Sequence, residues 1–228
     1  MTIHDNSNEV IEKSAIRESI AKELFETDTE VLDNFKCHFK AEIEEFIGET
    51  VNAYAEWEKW DSKINEDEQK AYISAFIFNA INTLTISTRL FIQGYIVPSG
   101  NLVRTSMESC AMAILCSNKN LPFFEQIKNG SFKASKSVNI VESKADSLGV
   151  TKDNFTEFKK GWSFYHNYSH ATLLTISAHV SFSESPQVYL GSIFDKEKAG
   201  EYKKELVGRL HMAKNVANII KGIENNFK

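Results

Sequence analysis

The sequence predicts an all-α, single-domain bundle of six to eight helices around a central antiparallel helical hairpin. Three observations carry that prediction. The forty-six positions from Ala71 to Cys116 hold only three formal charges, Arg89, Arg104 and Glu108, and are broken once, by Gly94-Tyr95-Ile96-Val97-Pro98-Ser99-Gly100. A block so long and so poor in charge reads as two buried helices folded back on each other. Apolar residues recur at helical spacing in the flanking segments. Ten glycines and three prolines in 228 residues are too few for the turns of an all-β chain.

Taken in order, residues 1–8 are expected to be loose and residues 9–228 to form the domain. Val10, Ile11, Ala15, Ile16, Ile20, Leu24 and Phe25 make a first helical stripe. Thr27-Asp28-Thr29-Glu30 offers a capping box for a long second helix to about Trp60, whose stripe runs from Leu32 through Phe35, Phe39, Phe46 and Val51 to Trp57. Large aromatics at so many seam positions argue against a coiled coil. Asn65 and Glu68 repeat the cap pattern before the first hairpin helix, and Ser99 is read as the cap of the second. A surface helix is predicted over Ser131–Ser147, stopped by Gly149. A long helix over 152–181 is expected to pack on the 71–116 hairpin, and Ser183-Glu184-Ser185-Pro186 to follow its end. Val188–Phe194 is the one stretch with strand character, and Asp195 caps a last helix to about Asn225.

A chain of this length can bury roughly 70–75% of its unfolded surface in one core. Residues 1–70 hold nineteen acidic and eight basic residues, whereas 71–228 hold twelve and eighteen. The basic residues are diluted among acids with no arginine cluster, so a nucleic-acid surface is not expected. Three cysteines without CxxC spacing, two of them in the apolar block, point to a reducing compartment. No basic-then-apolar leader opens the sequence, and the uncharged run Ala71–Thr88 is rich in Ser, Asn and Thr. Such polar groups cost much in lipid, so the expectation is a buried helix in a cytoplasmic protein, with no membrane span.

The chemistry concentrates in two places. Arg104 and Glu108 share a helix face, and Arg89 and Arg104 lie about equally far from the hairpin turn, which predicts matching heights. Buried together, two arginines need anions. The cluster is therefore either a structural network fixing hairpin register or a pocket whose arginine forks hold phosphate or carboxylate. The second place is Trp162–Thr172, where His166 and His170 share an i,i+4 face. That is the spacing of two helical metal ligands, but no HExxH or Glu-x-x-His accompanies it, so neither a metal nor another cofactor is expected. Nucleotide loops and GxSxG turns are absent, and no cation neighbours Cys110 or Cys116 in sequence.

The order Gly94-Tyr95, Leu102-x-Arg104-x-x-x-Glu108, then Tyr165…Tyr168-Ser169-His170-Ala171-Thr172, resembles a group of uncharacterised helical bacterial proteins. Those pair an R-x-x-x-E helix with a later Y…S…H-[AP]-[ST] helix. The resemblance implies that Arg104, Glu108, Tyr165 and His170 meet across the bundle interior; the Ser–His spacing here is tighter than that pattern. The chain is also similar, as an α-bundle, to helical toxin and phage-defence ribonucleases that often dimerise, but no arginine precedes a histidine at their distance along one helix. The leading functional expectation is a non-enzymatic module acting through a homodimer or a protein partner, with a stress or phage-defence role implied by analogy alone. The alternatives are a small anionic-ligand binder or enzyme using Arg89, Arg104, Glu108, Tyr165, His166 and His170, and a divergent ribonuclease.

Overall fold

The computed structural model describes residues 5–181 and 187–227. Among them are ten α-helices and one two-residue hairpin of strands, so the all-α class stands. The helix count exceeds the expected six to eight because two long helices read from the sequence are each broken and one short one was not foreseen. Of the residues expected to be loose, those from Asp5 on belong to the first helix, α1, Asp5–Phe25. The expected segment Ser183–Pro186 lies outside the described residues.

The helix expected over 29–60 divides into α2, Thr29–His38, and α3, Lys40–Asp61. The kink falls at Phe39 (φ −127°, ψ 29°), which keeps the Phe39 amide on the Phe35 carbonyl while burying both rings. The α2 cap is Asp28 rather than Thr27, its carboxylate accepting from the Val31 amide. Likewise Asp67, not Asn65, caps α4, Glu68–Ile92. Asn65 and Glu66 take positive φ in the preceding turn. After Gly94 (φ +87°), α5 runs Ile96–Cys116. It starts before Pro98, whose missing N–H is no loss in a first turn, so Ser99 lies inside the helix and is not its cap.

Helices α4 and α5 form the antiparallel pair at the centre. Small hydroxyls let them approach closely: Ser106 Oγ donates to the Ala80 carbonyl and Ser87 Oγ to the Ser99 carbonyl, each at 2.7 Å. Both serines are fully buried, so these bonds answer groups that water cannot reach. A short α6, Phe123–Lys128, had no counterpart in the sequence reading. The surface helix is shorter than expected: α7 covers Ser137–Ser143 between 3-10 turns, the second of which, Ala145–Leu148, ends at Gly149 (φ +65°).

The helix expected over 152–181 is really α8, Lys152–His166, a 3-10 turn at Asn167–Ser169, and α9, Leu173–Ser177. The break follows from side chains that compete with the helix: the Thr172 hydroxyl bonds the Asn167 carbonyl and caps α9. Of Val188–Phe194, the stretch with strand character, only Val188 lies in a strand: β2, Gln187–Val188, pairs antiparallel with β1, Val180–Ser181, at the end of the expected 152–181 helix. Asp195 caps a 3-10 turn that feeds α10, Ala199–Asn226.

The main core gathers α3, α4, α5, α7, α8 and α10, and an aromatic satellite joins Phe35, Phe39, Phe91, Tyr202 and Leu206. The uneven charge of the chain is used between α3 and α10, where Lys203 pairs with Glu42 and Lys214 with Glu45, each at 3.0 Å.

Candidate functional site

Arg104 and Glu108 pair as their spacing requires, Nε to Oε1 at 3.0 Å, but they sit at the edge of the bundle with side chains 16% and 18% exposed. Helix α8 brings Trp162 over them. Its indole N–H donates to Glu108 Oε1 at 3.1 Å, and its ring lies 5.5 Å from the Arg104 guanidinium carbon. The 3-10 turn adds Ser169, which accepts from Arg104 Nη1 at 2.9 Å and donates to Asn101 at 2.8 Å. His166 stacks on Trp162, and its ring lies 4.6 Å from that of His170. Both imidazoles are exposed. Partial desolvation, then the positive charge of Arg104, then His170 hold the His166 pKa below its ordinary value, against a smaller pull from Glu108.

Tyr165 points elsewhere. One residue before the end of α8, it turns inward with Tyr168 onto a carboxylate the sequence reading did not single out. Tyr168 donates to Glu205 Oε1 at 2.7 Å, Tyr165 to Oε2 at 3.1 Å, and Arg209 Nη1 to Oε2 at 2.5 Å. Arg209 is fully buried; its Nη2 donates to Ser99 Oγ at 2.9 Å and its guanidinium carbon lies 4.3 Å from the Phe91 ring. Burial beside an anion pushes both tyrosine pKa values well up, with Arg209 opposing only in part. The approach of Tyr168 depends on Gly100, where a Cβ would stand 2.5 Å from the tyrosine ring.

The candidate residues therefore separate. Arg104, Glu108, His166 and His170 share the bundle edge, while Tyr165 joins an inner network of Glu205, Arg209, Tyr168 and Ser99. Arg89 belongs to neither. The hydroxyl bonds of the hairpin set Arg104 level with Asn82, so equal distance from the turn did not give matching height. The helix start before Pro98 shifted the register, and Arg89 lies exposed on α4. Nor is Glu108 the only inner carboxylate: Glu205 and Asp195 are both more buried. The missed signal was spacing. Glu205 and Arg209 fall between Tyr202, Leu206, Leu210 and Ala213, on the buried face of α10.

Among the described residues, no three His, Cys, Asp or Glu side chains converge as a metal-ligand set. Burial pushes the Cys110 and Cys116 thiols up to about 12, which leaves them inert. The edge cluster combines a fixed guanidinium with two exposed imidazoles. Its chemistry suits an anion.

A third surface is apolar. Ile47, Val51 and Tyr54 of α3 and Phe78 and Ile86 of α4 are each 41–61% exposed. The Tyr54, Trp57 and Phe78 rings form an unbroken row at 5.1 and 4.9 Å, joining the two helices into one face. By length and composition α4 is also apolar enough to cross a membrane. No protein-family model matches the chain, and no curated protein or solved structure is similar to it.

Proposed function

We propose that this protein is a self-associating helical module whose contact surface is the α3–α4 face. The observation that carries the reading is that face itself, an exposed apolar strip joining two helices and running roughly 20 Å between Glu44 and Glu58. The occupant it fits is a second copy. Arg89 and Glu44 lie at the same end of the face, and among the described residues neither makes an ion pair. A two-fold axis along the helices lays α4 of one copy on α3 of the other. Ile86 then meets Ile47, Phe78 meets Tyr54, and each Arg89 faces Glu44 of the second copy. Asn79, Asn82 and Thr85 on the exposed side of α4 can be partnered by protein but not by lipid.

A strip of this size matches a small, reversible interface. Sedimentation equilibrium should show a monomer–dimer equilibrium that Val51→Glu with Phe78→Glu shifts to monomer without loss of helicity. A chain that stays monomeric at about 100 μM, well above the affinity range of weak complexes, sinks the reading, as does flotation of the monomer with lipid vesicles.

The edge cluster supports a second reading, binding of a small anion such as a phosphate monoester. Because the His166 pKa is lowered, the ring is neutral near pH 7 and gains charge only as pH falls. Phosphate should therefore bind more tightly as pH drops through the histidine range, and should raise the His166 pKa followed by proton NMR. A phosphate affinity that is flat with pH, or unchanged in Arg104→Met, rules the site out. Cleavage of a short RNA lost in His166→Ala and His170→Ala would move the reading from binding to ribonuclease chemistry.

A further inference from the structure

A cavity of about 680 Å³ opens between α8, α9 and α10, and none of its lining residues belongs to the α3–α4 face or to the edge cluster. Its size falls in the range of small-molecule sites, roughly 300–1,000 Å³. A smaller one of about 220 Å³ near Asn226 carries no ionisable side chain.

Three features of the larger cavity restrict what fits. Its walls are aromatic, with Phe164, Tyr165, Tyr168 and Tyr202 all on the lining. Most of its charges are already spent: Lys160 pairs with Glu157 at 2.6 Å, Lys204 with Glu201 at 2.7 Å, and Glu205 with the buried Arg209 behind it at 2.5 Å. Lys198 is held by the Ser177 and Val180 carbonyls, which ties the end of α9 to the start of α10. Among the described residues the one lining carboxylate without an ion pair, Glu197, is exposed to solvent, so an ion buried among the rings would find no uncompensated countercharge beside it. The polar floor accepts and does not donate. The Tyr165 and Tyr168 protons are committed to Glu205, whose Oε1 receives one donor, from Tyr168, and keeps acceptor capacity.

Two glycines line this space. Gly161 and Gly208 stand in the interiors of α8 and α10 and line the cavity. Mid-helix glycine is costly relative to alanine. A Cβ at Gly208 would come within 3.1 Å of the Tyr165 hydroxyl and disturb its bond to Glu205.

We propose that this cavity binds a neutral, flat aromatic molecule bearing an N–H donor, which lies among the tyrosine and phenylalanine rings and donates to Glu205. The direct test uses 5-fluoroindole as probe, with 5-fluorobenzothiophene as the isostere that lacks the donor, followed by fluorine NMR on the full chain. The indole is expected to bind about five- to ten-fold more tightly, the worth of one net hydrogen bond. Ala178→Trp, at a half-buried position on the cavity wall, should weaken it by at least about ten-fold by filling the space while leaving the Glu205 network untouched. Equal binding of the two probes, absence of binding, or an Ala178→Trp variant that binds as well as the parent chain overturns the proposal.

Discussion

Arg209 is the residue on which the inner network turns. It is fully buried, ion-paired to Glu205 and stacked on Phe91, so its removal strands a carboxylate that two tyrosines alone must satisfy. Arg209→Met is therefore expected to cost about 3–5 kcal/mol in urea unfolding. Adding Glu205→Leu should return part of that loss, because no unpaired charge then remains inside. If the double variant is as unstable as the single one, packing and not charge is the main role of the pair. Arg104 offers the contrast. Partly wet and held by an exposed neighbourhood, it makes a pair worth about 1 kcal/mol or less. The sequence made Arg104 conspicuous because its helix carries only one other charge, Glu108. It hid Arg209 because α10 is full of lysine and glutamate on its outer face, and only position within the 3.6-residue period separates the inner pair from the rest.

Among elements, the α8–α9 region shows where periodicity stops being informative. Apolar spacing continues without interruption through 152–181, yet the chain leaves the helix at Asn167 because local hydroxyl bonds outweigh continuation. That break places Tyr168 flat against α5 at Gly100. Gly100→Ala should push the ring away from Glu205 and cost about 1–3 kcal/mol, the usual range for overpacking. The same substitution made in a Tyr168→Ala background should cost much less, and a double-mutant cycle showing simple additivity would disprove the steric account. Helices α4 and α5, by contrast, were legible as helices, since faces packed into a core cannot carry unpaired charge. Their register was not, because that depends on serine hydroxyls bonding across the pair and on where α5 begins.

At the scale of the whole molecule, composition and period were enough for the class and for a single core, while the number of helices depended on kinks that no period reveals. The acidic N-terminal third and the more basic remainder are joined by α3 lying along α10. These bridges are largely exposed and individually weak, so their contribution is to orientation more than to stability. What they orient is a closure between residues that synthesis separates by about 160 positions, as in the Glu42–Lys203 pair. A nascent chain can form the α4–α5 pair early, from local contacts, but it lacks the strand of residues that covers α3 until the last helix has left the ribosome. The face that α3 turns to α10 stays uncovered until residues 199–226 are made, and the rate of that last step is set by loop closure.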